Sequence, residues 1–583
     1  MLYFGDRSRR LDARELLGRL EVHAARAARL PAGVARHAEW VGLLVEAGEL
    51  SQGIADEDLR ARGADDVGPA SAAAMQLVRA IAEAVVTSWR SGFERGALAV
   101  RGALASLARA PLPAEVEVRP PEGYEHSALY PEGYAEAAGA LGAGPLRVVG
   151  IRSIGTGLAA VVAAAAGVRA PLTVRPVGEP HAREVTLSPA LAARVAADAR
   201  ARWAVVDAGP GLSGSSFAAA ARALEAAGIA RARIHFFPSH LGAPGAAAST
   251  AWRARWAKAP RHVVSFEELA LGARGLPRWL AEVVGPPSAP PVDLSAGRWR
   301  ALAFDGGWSW PAVFREQERR KYLVVARGAR WLAEFVGIGG AGERRYARAR
   351  ALGGAGLAPS PAGLCHGFLV RPWVDATPLT VAEADAPFLV ARVAEYLAFR
   401  ARSFGAESGE GASPDELLGM ARHNARLALG EARAAEVERF ADGARLAARV
   451  TRPVAVDGKL EPWEWLLARD GRLLKADAVQ HADAHDLAGC QDVGWDVAAA
   501  RFELGLGGAE LAELVRRVEC MSGAELPRAA LAFYEVAYLA LRIGRWHWAV
   551  AAETDVAERA RAEAEIARYR AALAARLEGR SAR

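Results

Sequence analysis

The chain has 583 residues, 52% of them apolar and 24% charged, enough for roughly three to four domains and too apolar for a disordered chain. Its net charge of +6 at neutral pH is small for that length, and its lysines and arginines are dispersed among acids, which argues against nucleic acid as a partner. Cys365, Cys490 and Cys520 lie far apart with no CxxC pair, which argues against a disulfide framework or a cysteine zinc site.

The first residues, MLYFGDRSRRLDARELLGRL, carry charges at helical spacing and no apolar segment of signal-peptide length. GTGLAAVVAAAAGV is too short to span a bilayer. The expectation is a cytoplasmic protein with no membrane partner. Residues 1–112 read as a helical region, because ARELLGRLEVHAARAARL and AAAMQLVRAIAEAVVTSWRSGF place apolar residues three and four apart. Residues 113–283 alternate strand and helix, with RVVGI and WAVVDA as buried strands, which implies a parallel sheet. VGPPSAPPVDLSAG, 284–297, breaks both periodicities and reads as a proline-rich linker. Residues 298–583 begin with short strands and continue mostly as helices, with a polar break at 403–416.

Two stretches concentrate chemistry. In VVDAGPGLSGSSF, 205–217, a strand ends in Asp207 and passes through glycines and serines into a helix. Backbone N–H groups at such a helix start, glycines that allow close approach and hydroxyls can cradle a phosphate; a serine-capped strand-to-helix turn has the same pattern. A second such loop, RVVGIRSIGTGL, lies about 60 residues earlier. Two anion loops on neighbouring strands suit a ligand with two phosphate groups.

The pair resembles the type I phosphoribosyltransferases over about 113–240. The resemblance implies phosphoribosyl transfer from phosphoribosyl pyrophosphate (PRPP) to an unidentified acceptor, with Mg2+. It makes Asp207 the ribose-binding acid and, with Arg152, a catalytic residue. Gly211 and Ser213, Gly214, Ser215 and Ser216 become the 5-phosphate loop, and Arg152, Ser153, Gly155 and Thr156 the pyrophosphate loop. Ala208 stands where the family has a second acid. Arg175, His181 and Arg183 lie where the family has a mobile loop; the alternative for each is a solvated charge.

Residues 456–498 hold the other concentration. DGKLEPWEWL, the Asp470-Gly471 turn and Asp477 resemble the catalytic segment, hairpin and metal-binding aspartate of aminoglycoside and choline kinase-like phosphotransferases, over about 310–550. This implies a two-lobed kinase-like domain with a nucleotide such as ATP and a metal at Asp477 and Glu464. Lys459 replaces the family's catalytic Asp, Glu464 its metal-binding Asn, and Glu334 stands where the strand lysine would meet phosphates. A like charge at Glu334 would repel ATP, so a degenerate kinase domain is expected. His481, Asp483 and His485 would share a side if extended, compatible with a metal; alternatively the histidines serve local turns while Asp492 and Asp496 brace the loop. The fold class is thus α/β and α+β multidomain, with a helical N-terminal region, a phosphoribosyltransferase-like parallel sheet and a kinase-like pair of lobes. The preferred function is PRPP-dependent transfer. The rivals are a non-catalytic PRPP and nucleotide sensor and an active small-molecule or nucleoside kinase.

Overall fold

The computed structural model describes residues 1–5, 8–380, 385–407, 409–483 and 485–579. It is a mixed α/β protein with several sheets. The N-terminal segment is helical but is closed by a short antiparallel pair, β1 (Arg9–Asp12) with β2 (Glu115–Val118). Its long helices, Val34–Arg62 and Pro69–Arg90, bury Leu43, Leu44, Val78 and Ile81 against the Gly155–Ala165 helix. Pro69–Arg90 is long and apolar enough to cross a membrane, and most of it is buried in this core.

The next sheet is parallel, with β3 (Leu146–Ile151), β4 (Leu172–Val174), β5 (Arg202–Val206) and β6 (Ile234–Phe237) in the order β4-β3-β5-β6. Unbroken apolar runs such as WAVV suit strands covered on both faces. One face shares the core of the N-terminal helices through Val148 and Val206, and the other packs on Phe217, Trp252 and Trp256. Because β3 and β5 are neighbours, the loops that follow them emerge side by side at one sheet edge.

The proline-rich segment is not a free linker along its whole length. Val292–Asp293 forms β7 and pairs with β8 (Lys321–Ala326), while the Ser288 N–H bonds to the Val325 carbonyl at 2.8 Å. With β9 (Ala329–Phe335), β10 (Gly363–Cys365) and β11 (Phe368–Pro372) they make an antiparallel sheet in the order β10-β11-β9-β8-β7. Tyr322, Phe335 and Phe368 of this sheet sit in the same core as Val206 of the parallel sheet, so the hydrophobic interior is continuous across residue 297. A buried polar clasp reinforces that join. His37 and His366 each place Nε2 on one oxygen of Glu132, at 2.6 and 2.9 Å, linking the Val34–Arg62 helix, the Pro131–Gly139 helix and the β10–β11 turn.

The remaining chain is a helical body with its own core, crossed by a small sheet of β12 (Ala376–Pro378), β13 (Trp465–Ala468) and β14 (Leu473–Lys475). Trp465 and Trp495 are buried in that core. The N-terminus returns here: the Leu2 N–H bonds to the Asn424 side chain at 2.8 Å, and Tyr3 is buried in the same core.

Candidate functional site

Two cavities hold most of the residues with chemistry. The larger, about 1220 Å³, opens at the carboxyl edge of the parallel sheet, between the β3 and β5 loops, and is roofed by residues from the N-terminal and C-terminal segments. Ser153, Asp207, Ala208, Gly209 and Gly211 line it. Asp207 Oδ1 accepts the Ala208 N–H at 2.8 Å. Burial pushes the Asp207 carboxyl up to about 8, and the Arg175 and Arg183 charges offset only part of that shift.

Several loop residues expected to hold PRPP are engaged by other parts of the chain, although Arg152 and Arg175 also line this cavity. Arg152 is 4% exposed and turns its guanidinium toward the N-terminal helices, where Nε lies 2.9 Å from Asp56 Oδ1 and Nη2 pairs with Asp65. It therefore organises the loop and is not free to take pyrophosphate. Arg175 is held by the same two aspartates, through its side chain to Asp56 and its N–H to Asp65 at 2.9 Å. Gly155 and Thr156 start the helix after β3; Thr156 is fully buried, and a Cβ at Gly155 would meet the Val206 carbonyl at 2.5 Å. The Arg152–Ser153 peptide is cis.

The serine loop is likewise engaged. Ser213 and Ser215 donate to the Pro180 carbonyl at 3.3 and 2.7 Å, Ser216 accepts from Arg183 at 3.2 Å, and Gly214 packs on Trp252. The 179–183 segment thus lies over Ser213–Ser216, and none of these four residues lines the cavity. His181 is exposed and also outside it. Arg183 does line it and has no ion pair among the described residues.

The smaller cavity, about 300 Å³, lies between β8, the 456–464 loop and the residues after β14. Lys459, Glu464 and Asp477 all line it. The Asp470-Gly471 turn joins β13 to β14 and brings Glu464 and Asp477 to the same end of that hairpin. The loop is braced from below: Asp496 accepts the Asp457 and Gly458 N–H groups at 2.7 and 2.8 Å, and Asp492 accepts those of Arg452 and Gly494. Buried Lys475 supports it, with Nζ 3.3 Å from Asp457 and 3.7 Å from Glu464.

Glu334 does not present a repelling charge to this cavity. It is fully buried, paired with Arg371 at 2.6 Å and with Lys321 at 3.5 Å. Lys321, directly opposite on β8, lines the cavity and also reaches Asp477 at 3.8 Å. Lys321 thus brings positive charge to the cavity from the strand next to that of Glu334. The register could have been read from sequence: Arg327-Gly328 is a two-residue turn with both φ values positive, which sets Lys321 opposite Glu334.

The electrostatics favour an anion with a metal. Burial opposes charge on Asp477, yet His481 and Lys321 hold its carboxyl well below the usual carboxylate range. Asp477 Oδ1 is buried with no partner, the state in which a cation would satisfy it. Burial and Arg545 lower the Lys459 pKa, and Lys459 has no ion pair among the described residues. Arg319 is lowered to about 9 by burial and the Arg345 charge. Each of these cations gains from an incoming phosphate.

His481, Asp483 and His485 do not converge. His481–Asp483 is a 3-10 turn, His481 contacts Asp457 and Asp477, Asp483 pairs with Arg345 and Arg348, and His485 pairs with Glu122. Extended geometry was the premise for a shared metal, and the turn removes it.

No protein-family model and no curated protein matches the chain. Solved phosphotransferase structures are similar to about half of it. The choline kinase LicA from Streptococcus pneumoniae is 15% identical over 47% of this chain and 96% of its own, with a TM-score of 0.30. A choline/ethanolamine kinase family protein from Mesorhizobium loti gives 16% identity, 48% and 96% coverage and 0.29. A macrolide 2'-phosphotransferase type I gives 14%, 50%, 95% and 0.32.

Proposed function

We propose that the smaller cavity is the phosphoryl-transfer site of a small-molecule phosphotransferase that uses a nucleoside triphosphate and Mg2+. The observation that carries this reading is the convergence of Lys321, Lys459, Glu464 and Asp477 on one cavity, with Asp477 Oδ1 buried and unpartnered. Asp477 and Glu464 are the residues that would hold the metal, which when bound neutralises phosphate charge. Lys321 and Lys459 supply fixed positive charge to the phosphates. Phosphoryl transfer proceeds through a loose transition state in which positioning and charge neutralisation dominate. Lys459 in place of an orienting carboxylate therefore changes how the acceptor is held without removing the main source of rate. The test is nucleoside diphosphate release from ATP across a panel of hydroxyl acceptors. Turnover that is lost in Asp477→Ala supports the reading. ATP binding without turnover on any acceptor would leave a sensor, and no ATP binding would overturn the assignment.

A second reading, phosphoribosyl transfer from PRPP, is favoured by Asp207 alone, a buried carboxyl at the carboxyl edge of a parallel sheet beside an unpaired Arg183. Pyrophosphate release from PRPP in a screen of bases and amines tests it. No release with any acceptor would count against it.

A further inference from the structure

The 456–464 loop gives the smaller cavity a carboxylate that belongs neither to the metal pair nor to the cations. Glu461 precedes Pro462, which biases it toward extended backbone, and it holds φ −57° and ψ 147°. Side chains alternate along an extended stretch. Lys459 and Glu461 accordingly line the cavity, while Leu460 between them is fully buried in the core of the helical body. Glu461 is 4% exposed. Its Oε1 pairs with Arg542, whose Nε donates in turn to the Tyr569 hydroxyl at 3.1 Å. Its Oε2 is buried and has no hydrogen-bond partner.

Other carboxylates around the cavity are committed. Glu318 accepts the Trp299 indole N–H, Asp486 accepts the Gly489 N–H at 3.1 Å, and Glu122 pairs with His485. Among the described residues that line the cavity, Asp477 and Glu461 alone carry a buried carboxylate oxygen without a partner. The two are held from different sides. Asp477 has Lys321 of β8 at 3.8 Å, whereas Glu461 is anchored through Arg542 to the Arg528–Ala552 helix. A buried acceptor atom left unpaired is costly, and a ligand that donates a hydrogen bond removes that cost. Phosphoryl transfer to a hydroxyl calls for one such group, which accepts the hydroxyl's hydrogen bond and turns its lone pair toward phosphorus.

We propose that Glu461 is a catalytic residue of the smaller cavity, its Oε2 accepting a hydrogen bond from the hydroxyl of the phosphoryl acceptor. The inference rests on the phosphotransferase reading of this cavity and adds to it the group that orients the nucleophile. The pair with Arg542 keeps the carboxylate ionised and fixes its direction. Because the transition state is loose, orientation of the hydroxyl matters more than the basicity of the group that holds it, so a carboxylate tied to an arginine suffices. In the step, the acceptor hydroxyl oxygen bonds to the γ-phosphorus and the bond from γ-phosphorus to the β,γ-bridging oxygen breaks. The nucleoside diphosphate leaves with that electron pair, and the hydroxyl proton passes to Glu461 Oε2 and from there to water.

The experiment measures ADP release from Mg·ATP with choline, glycerol, ribose, uridine and an aminoglycoside as acceptors, in the wild type, Glu461→Gln, Glu461→Asp and Asp477→Ala. Glutamine keeps an oxygen for Arg542 but cannot take the hydroxyl proton. On the acceptor that the wild type turns over fastest, Glu461→Gln should lower kcat by about a hundredfold or more, with the Mg·ATP affinity unchanged in calorimetry. Glu461→Asp keeps the charge beside Arg542 and withdraws the oxygens, and should lower kcat by less, again at unchanged affinity. Where Glu461→Gln also loses Mg·ATP binding, Glu461→Asp decides: a lowered kcat at unchanged affinity supports the role, and loss of both or of neither overturns it. Wild-type kcat in Glu461→Gln, beside an inactive Asp477→Ala, would overturn the inference and leave the phosphotransferase reading standing. Absence of wild-type turnover on every acceptor would overturn that reading and the inference with it.

Discussion

The sheet-edge loops and the 456–477 loop differ in how motif and placement relate. At the sheet edge the two glycine- and serine-bearing loops lie side by side, yet Arg152 is held by Asp56 and Asp65 and Ser213 and Ser215 by the Pro180 carbonyl. In the 456–477 loop no phosphate-loop pattern of glycines and serines stands, yet Lys459, Glu464 and Asp477 face one cavity, and Lys321 reaches it from β8. Spacing in a sequence fixes which backbone segments meet. Which side chains remain available depends on partners that arrive from distant segments.

The largest effect expected from breaking that contrast is on stability. Arg152→Met would leave Asp65 buried and uncompensated, and should cost on the order of 3–5 kcal/mol in urea unfolding. Lys475→Met should cost less, because Asp457 keeps His481 at 3.1 Å and the Tyr396 hydroxyl. Arg183→Met, in contrast, should cost no more than about 1 kcal/mol, because it loses one hydrogen bond to Ser216 and no ion pair. Equal destabilisation by Arg152→Met and Arg183→Met would erase the distinction between a structural arginine and an available one.

A pH series sharpens the comparison further. Asp207 has a folded-state pKa of about 8, raised by burial above its ordinary value of 3.8. The folded state therefore binds a proton that the unfolded state has lost, so this group's contribution to stability is full below pH 4 and falls as pH rises toward about 8. Binding to ligand hydroxyls or a metal needs the ionised carboxylate, so affinity for PRPP or ribose 5-phosphate should rise over the same range, up to pH 8–9. Asp207→Asn should flatten both slopes. A wild-type affinity independent of pH between 6 and 9 would remove Asp207 from the ligand contact.

The smallest effect belongs to a helix cap whose residues line neither cavity. Ser413 caps the Pro414–Leu429 helix in a reciprocal arrangement with Glu416. Ser413→Ala should cost about 1 kcal/mol and leave ATP binding untouched, a control for losses that come only from reduced stability.

Much of the architecture was legible from periodicity. The helical N-terminal region, the alternation that makes the parallel sheet and the Asp470-Gly471 hairpin all depend on local pattern. The Val292–Asp293 strand was not, because prolines flank a two-residue edge strand too short to show alternation. The clasp of His37, Glu132 and His366 was also invisible, since its members are separated by more than ninety residues and carry no motif. In the smaller cavity, Lys459, Glu464 and Asp477 lie close together in sequence, but Lys321 needed the β8–β9 register and Arg319 the tertiary fold. The charge of Glu334 is offset by Lys321 and Arg371, partners that only the sheet register brings beside it.

The central claim is that Asp477 and its surrounding cations form a metal-nucleotide phosphate site. Titrating Mg·ATP into the full-length protein and into Asp477→Asn by calorimetry tests it most directly. The account predicts saturable, Mg2+-dependent binding to the wild type and at least ~tenfold weaker binding to the variant, the scale of a lost charged interaction. Equal affinity in the two proteins would contradict it.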